Sequence, residues 1–166
     1  MTRAVLSLGS NLGDRLANLT IAVDGLRDVL VAASPVYETK PWGVEDQPDF
    51  LNAVLIVDDP AADAWTWLHR AQSLEQRAGR VRTLHWGPRT LDVDIVTVDG
   101  VTSDHPDLLL PHPGTPDRAT VLIPWLDLDP DAVLPGHGPV RTLLGALPKS
   151  ALIGVRPRKD LGLTRS

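Results

Sequence analysis

The order of strand-like and helix-like segments is the feature that most limits how this chain can fold. Ala4 to Leu8 is short, apolar and followed by Gly-Ser-Asn, which predicts a buried strand that ends in a turn. From about Asp14 to Val31, leucine and valine recur at helical spacing, which predicts a helix. The same patterns predict strands from Val36 to Thr39, from Phe50 to Val57 and from Asp92 to Val98. They also predict a second helix, from Ala62 to Ala78, that ends at Gly79.

This order of strand, helix, strand, strand, helix, strand is typical of one fold class. It predicts an α/β (α+β) ferredoxin-like sandwich with a mainly antiparallel sheet and helices on one face. The 166 residues fit one domain, which we expect at residues 1–150, with a basic C-terminal tail at residues 151–166 that is partly ordered or frays. We also expect an irregular, proline-rich stretch at residues 105–118 and a short helix from Val140 to Leu147.

Composition removes several classes of function. The net charge of −5 argues against a general nucleic-acid binder. No stretch approaches roughly 18 apolar residues, so we expect no membrane span, and the first residues are too short an apolar run for a signal peptide. The chain has no cysteine, which fits a reducing cytoplasm. These features favour a cytoplasmic protein that binds neither nucleic acid nor membrane, and we also expect a monomer.

Asp92 and Asp94 are the first candidates for chemistry. Residues two apart on a strand point to the same face, so the two carboxylates project side by side. Mg²⁺ prefers oxygen ligands and often combines one or two carboxylates with the phosphates of a substrate. The alternative is a pair of solvated acids on an exposed strand face.

Arginines stand close to this acidic pair in the sequence. Arg80, Arg82 and Arg89 precede it. Guanidinium groups grip phosphate oxygens, so arginines beside a carboxylate pair suit a magnesium-bound polyphosphate. The alternative is a salt-bridged surface. The chain has no P-loop motif, and its Gly9 to Asp14 segment predicts a tight turn with Ser10 or Asn11 near the helix start.

Aromatic residues are few, and several lie near two predicted loops. Trp42, Phe50 and Trp86 flank the suspected site, and Asn52 shares the strand face of Phe50. Flat heterocycles are often held by stacking and by amide hydrogen bonds, although Phe50 and Asn52 would equally suit the core and edge of a sheet. His112, between two prolines, either contacts phosphate or is an ordinary loop residue.

Four segments together resemble a known family. The run from His85 to Ile95, His-Trp-Gly-Pro-Arg-Thr-Leu-Asp-Val-Asp-Ile, is long and specific. Leu8 to Gly13, Asp46 to Ala53 and Gly79 to Arg82 agree with it in the same order. The chain resembles the dihydropterin pyrophosphokinases from about residue 3 to about residue 145.

The resemblance implies a ferredoxin-like fold and a reaction. Members of the family use ATP and two Mg²⁺ ions to convert 6-hydroxymethyl-7,8-dihydropterin to its pyrophosphate, with AMP as the other product. By position, the implied metal ligands are Asp92 and Asp94, and the implied catalytic residues are Arg80, Arg89 and Asp94. The implied ATP-binding residues are Gln72, Glu75, Arg82, Ile95, His112 and Arg118, and the implied pterin-binding residues are Thr39, Trp42, Phe50, Asn52 and Trp86.

The chain departs from the family after His112. Gly114, Pro116 and Thr120 stand where basic residues and then a second aromatic are usual, and Asp107 replaces a common basic residue. We therefore expect weaker substrate binding with the chemistry retained, and we leave the general base open. Two other hypotheses share part of these features: a catalytically degenerate nucleotide- or pterin-binding module, and a magnesium-dependent phosphohydrolase.

Overall fold

A computed structural model describes residues 3–40, 48–79 and 90–163. Its strands are β1 (Arg3–Ser10), β2 (Leu30–Ala33), β3 (Tyr37–Thr39), β4 (Phe50–Asp58), β5 (Asp92–Val98), β6 (Ser103–His105), β7 (Leu108–Leu110), β8 (Val133–Leu134), β9 (Gly138–Pro139) and β10 (Arg156–Pro157). Its helices are α1 (Arg15–Gly25), α2 (Ala64–Arg77), α3 (Ala119–Leu128), α4 (Val140–Ala146) and α5 (Lys149–Leu152), with 3-10 turns at Arg27–Val29 and Thr115–Asp117.

The main sheet is antiparallel and has the strand order β10-β3-β4-β1-β5, with β2 also paired to β4. Without the terminal β10, the order β5-β1-β4-β3 is the one expected when two β-α-β units interleave. The predicted ferredoxin-like α+β fold is confirmed.

Strands β2 and β3 lie end to end along the same side of β4. Both pair with β4, and Ser34 lies between them. The Ser34 N–H donates to the Val54 carbonyl and the Ser34 hydroxyl accepts from the Val54 N–H, each at 2.9 Å. The predicted first helix was therefore too long at its end, because Leu30 belongs to β2. Its apolar periodicity continued into the strand without a visible stop.

Aspartates cap both long helices. The Asp14 carboxylate accepts from the Ala17 N–H at 3.1 Å, and Asp63 forms a capping box with Thr66. The prediction of Ser10 or Asn11 near the helix start was wrong, because Ser10 still belongs to β1 and Asp14 is the cap. The predicted end of α2 is confirmed at Gly79, whose φ of +72° suits glycine.

Helices cover both faces of the sheet, not one as the element order predicted. The first face packs on α1 and α2 and carries Leu6, Leu55 and Trp67 in one apolar cluster. The second face packs on α3 and α4, through a smaller cluster that includes Val54 and Trp125. The last helices were predicted only as an apolar segment and a short helix, which gives no hint of the face they cover.

The irregular stretch and the tail are more ordered than predicted. Strands β6 and β7 form a hairpin inside residues 105–118 and just before them. Instead of fraying, the tail adds β10 to the edge of β3, and Leu163 is buried. The division into a domain at residues 1–150 and a tail stays a prediction.

Among the residues described, no helix is both long enough and apolar enough to cross a membrane.

Candidate active site

The carboxylate pair lies at the start of β5. Asp92 and Asp94 are half-buried, whereas Val93 and Ile95 between and after them are 5% exposed and belong to the cluster of the first face. The alternation therefore turns both acids toward the second face of the sheet.

Sheet register places the two acids and the predicted pterin-binding residues of β4 on one face of the sheet. We call the line of Asn52, Gly9 and Asp92 across three strands the row. Gly9 of β1 pairs with Asn52 on β4 and with Asp92 on β5, and Ser7 pairs with Asp94. Directly paired residues share a face, so Asn52, Gly9 and both acids face the same side. Two strand spacings separate Asn52 from Asp92, which is about 10 Å. A flat ring beside Asn52 and a triphosphate beside the acids would therefore lie next to each other.

The amide and the aromatic ring of this row lie against β3 and β1. The Asn52 side-chain amide donates to the Thr39 hydroxyl at 2.6 Å. A Cβ at Gly9 would lie 3.3 Å from the Asn52 amide oxygen and 3.5 Å from the Phe50 ring. Gly9 thus gives Phe50 and Asn52 room that any side chain would fill.

A bulge in β5 brings His112 to the acids. Val96 lies between the residues that pair with Val5 and Leu6, and its carbonyl accepts from the His112 N–H at 2.9 Å. Burial lowers the pKa of His112, as does the Arg118 charge, while Asp92 raises that pKa. His112 therefore lies near enough to Arg118 and Asp92 for both charges to act on its ring.

The Arg118 side chain folds back over Gly114. Arg118 precedes α3, and its guanidinium group lies where a Cβ at Gly114 would come within 2.8 Å. The glycine that replaces a usual basic residue thus makes room for this cation.

The remaining ATP candidates differ in position. Glu75 is 5% exposed on α2, and its carboxylate accepts from the Val93 N–H at 2.9 Å, between the two acids in sequence. Gln72 is exposed on the same helix. The Ile95 side chain lies in the core of the first face, so only its backbone is free to meet a ligand beside Asp94.

Five predicted site residues lie outside the described ranges. They are Trp42, Arg80, Arg82, Trp86 and Arg89. Their proposed roles stay predictions.

Sequence reasoning missed several residues around the row. The buried Tyr37 pairs with Asn52, and its hydroxyl donates to Asp127 of α3. Burial and this carboxylate raise the Tyr37 pKa, so the hydroxyl stays protonated. Nothing in the sequence signals this contact, because its partners are 90 residues apart. The structural role of Gly9 was also missed, although a glycine in a strand pattern often marks a close approach.

The donor set suits a hard divalent cation. Among the described residues, no group of three or more His, Cys, Asp or Glu side chains is placed to hold a metal. Two carboxylates side by side fit Mg²⁺, which keeps water and takes further oxygens from substrate phosphates.

Fold and row together define a small α+β protein that offers carboxylates at one end of a row and an aromatic–amide pair at the other. The family model for 7,8-dihydro-6-hydroxymethylpterin-pyrophosphokinase (HPPK) matches residues 5–130. The 2-amino-4-hydroxy-6-hydroxymethyldihydropteridine pyrophosphokinase of Mycobacterium bovis is 53% identical over 159 residues, which cover 89% of this chain and 85% of that protein. The protein of the same name from Methylorubrum extorquens is 40% identical over 92% of this chain and 98% of its own length.

The chain belongs to the HPPK family. The predicted family and the predicted pyrophosphokinase activity in folate biosynthesis are confirmed.

Solved structures agree on the fold. A triple mutant of Plasmodium falciparum HPPK-DHPS matches with a TM-score of 0.67 at 14% identity, over 87% of this chain and 43% of that one. The wild-type protein with pteroate matches with a TM-score of 0.65 at 13% identity, over 87% and 44%. This chain therefore spans less than half the length of these solved chains.

Proposed function

We propose that the chain transfers a pyrophosphoryl group from ATP to the hydroxyl of 6-hydroxymethyl-7,8-dihydropterin and depends on Mg²⁺ to do so. The observation that carries this is the row in which Asn52, Gly9 and Asp92 pair across three strands. It provides one open face for an aromatic heterocycle and a metal-bound triphosphate. Transfer between two bound substrates needs such adjacency more than it needs covalent help from protein.

The reaction balances without a further reactant. The pterin hydroxyl oxygen bonds to the β-phosphorus of ATP, and the bond from that phosphorus to the oxygen bridging to the α-phosphorus breaks. AMP leaves with that oxygen, and the hydroxyl proton is released. The general base stays open, and Asp94 is one candidate.

Asp92 and Asp94 would hold two Mg²⁺ ions, whose charge offsets that of the triphosphate during transfer. The half-buried position of both acids favours this role, because a partly desolvated carboxylate is stabilised by a cation. The acids also fix where the phosphates lie relative to Asn52.

The ATP site would use His112 and Arg118 beside Asp92. The lowered pKa keeps His112 neutral at pH 7, so its ring offers one N–H and one acceptor, while Arg118 supplies the positive charge. Gln72, Glu75, Arg82 and the Ile95 backbone complete our proposal for this site, and Arg80 and Arg89 would neutralise the transferring group.

The pterin would lie on Phe50 with its polar edge toward Asn52. The bond to Thr39 fixes the orientation of the Asn52 amide, which suits a rigid heterocycle with a donor next to an acceptor. Trp42 and Trp86 would complete the pocket. We also propose that the protein is a cytoplasmic monomer. Light scattering on the purified chain tests its oligomeric state.

The decisive experiment measures AMP formation from ATP and Mg²⁺, with and without the pterin. The wild-type chain should form AMP only with pterin present, and Asp94→Ala should lower the rate by about 1,000-fold or more because metal-bound phosphate loses its ligand. Asp104→Ala, an exposed acid on β6, is the matched control and should leave the rate unchanged. Phosphate release without pterin would show a hydrolase instead, and ATP or pterin binding without AMP would show a degenerate binding module.

A further inference from the structure

An ionic cluster lies behind the pterin row, centred on Glu38 of β3. One Glu38 carboxylate oxygen accepts from Arg15 of α1 at 2.7 Å. The other accepts from Arg156 at 3.0 Å and from Arg158 at 3.2 Å, both on the C-terminal segment. Three parts of the chain that are distant in sequence thus meet at one carboxylate.

The same cations hold the residues just before Phe50. Arg15 also donates to the Asp49 carbonyl at 2.9 Å, and Arg156 donates to the Asp49 carboxylate at 3.1 Å. The buried Asn11 side chain donates to the Pro48 carbonyl at 3.2 Å. The backbone that enters β4 is therefore fixed by side chains from α1, from β10 and from Asn11, which directly follows β1.

The contact between Arg15 and Glu38 is more buried than an ordinary surface ion pair, whereas Arg156 is 52% exposed and reaches Glu38 and Asp49 from the surface. The Glu38 side chain is 15% exposed and that of Arg15 is 27% exposed. The hydrogen bond from Arg15 holds the pKa of Glu38 below its ordinary range, with further help from Arg158 and Arg156. Partly buried, charge-assisted bonds are less screened than exposed ones and hold geometry better.

The cluster cannot touch the ring that Phe50 and Asn52 would bind. Glu38 pairs with Leu51, which belongs to the core of the first face, whereas Thr39 pairs with Phe50 on the second face. The cluster therefore acts through the backbones of β3 and β4. Any effect on pterin binding must come from the positions that it gives to Thr39, Phe50 and Asn52.

We propose that Arg15 and Arg156, acting through Glu38 and Asp49, are positioning residues for the pterin-binding strand pair. The proposal rests on the proposed function, since it assigns the row to pterin. It makes the C-terminal strand β10 part of the substrate-binding apparatus, although that strand lies behind the site.

The test compares Arg156→Gln with Arg156→Lys and with Lys159→Gln, which removes a charge from an exposed residue of the same segment. Pterin binding is measured by calorimetry without ATP, and KM for pterin, KM for ATP and kcat are measured separately. Arg156→Gln should weaken pterin binding about fivefold, as expected for one partly exposed charged hydrogen bond, with KM for ATP and kcat within about twofold. Arg156→Lys should restore a large part of the loss, and Lys159→Gln should change nothing.

The second arm combines Asp49→Asn with Arg156→Gln. Because the two residues act through one contact, the double variant should bind pterin no more weakly than the weaker single variant. Unchanged pterin binding in Arg156→Gln, or an equal rise of both KM values, would overturn the proposal. Arginine-dependent pterin binding without any AMP formation would support the positioning role and refute the pyrophosphokinase function.

Discussion

The two faces of the central sheet differ in how far their apolar cover extends. On the face packed by α1 and α2, the inward residues of β4 at positions 51, 53, 55 and 57 are all buried and apolar. On the face packed by α3 and α4, only Val54 and Ile56 of the same strand are buried, and the next positions are Asn52 and Phe50. The second face is therefore a core at one end and a binding surface at the other.

This difference shows how one sheet serves stability and recognition together. The fully covered face holds the strands in register and so fixes the positions of Asn52, Gly9 and Asp92 on the other face. A site on strands is positioned more precisely than one on loops. Four predictions test whether the division between the faces is as clean as the structure indicates.

The largest effect is expected from one buried leucine on each face. Leu19 of α1 and Leu122 of α3 are both 0% exposed. Truncation to alanine should cost about 2–5 kcal/mol of unfolding free energy at either position, measured by urea denaturation, because each leaves a cavity. Only Leu122→Ala should also raise KM for the substrates, since Leu122 lies one turn after Arg118. Equal changes in KM for Leu19→Ala would show that the first face is not purely structural.

The second prediction concerns Glu75, which is the one buried acid in the part of the chain that the structure describes and lies on the face packed by α1 and α2. Glu75→Gln weakens the acceptor of the Val93 N–H and should lower the unfolding free energy by about 1–3 kcal/mol. The rate of AMP formation should fall as well, because Val93 separates the two acids. Gln76→Ala, an exposed neighbour on α2, is the control and should change neither quantity. Wild-type stability in Glu75→Gln would show that Glu75 does not stabilise β5.

The third prediction tests the open end of the second face. Gly9→Ala places a Cβ 3.3 Å from the Asn52 amide oxygen and should raise KM for pterin about fivefold, since overpacking by one methyl commonly costs about 1 kcal/mol or more. Stability should hold, because alanine is favoured over glycine in a strand. Gly145→Ala on α4, where a Cβ meets nothing within 4 Å, is the matched control. Unchanged pterin binding in Gly9→Ala would show that the pterin ring does not bind beside Gly9.

The smallest effect is a pH dependence at the edge of the first face. Arg15 lowers the pKa of Glu38, so the folded chain binds fewer protons there than the unfolded chain does. The stabilisation is therefore present at pH 7 and is lost as the pH falls below the ordinary pKa of glutamate, about 4.3, and through the lowered pKa of the folded chain. The difference in unfolding free energy between wild type and Glu38→Gln should shrink over that range. A difference that is constant with pH would contradict the ionic account of the cluster.

Local sequence patterns could predict much of the fold. The apolar runs of β1, β4 and β5 and the periodicity of α2 are long, and Gly79 marks a helix end, so these elements were found close to their observed bounds. The second covered face could not be predicted, because α3 and β10 are placed by contacts with residues far away in the chain. Tyr37 and Asp127 illustrate this, since neither carries a local pattern.

The candidate site divides in the same way. Asp92 with Asp94 and Phe50 with Asn52 were predicted to share faces, because the period of a strand fixes that relation within one segment. That both pairs lie on one face depends on the register of β1 between them, and no rule of spacing gives that register. The role of Gly9 follows from this register, so it became visible only in the structure.

The pairing of β10 with β3 has a consequence for how the chain is made. Arg156 is 118 residues later than Glu38 in the sequence, so a ribosome synthesises the whole sheet between them before the partner of β3 emerges. Until then, β3 presents unsatisfied N–H and C=O groups to solvent, the kind of edge on which chains associate wrongly. On the positioning role proposed above, the pairing of β10 with β3 both orients the pterin-binding strands and covers an edge on which nascent chains could associate.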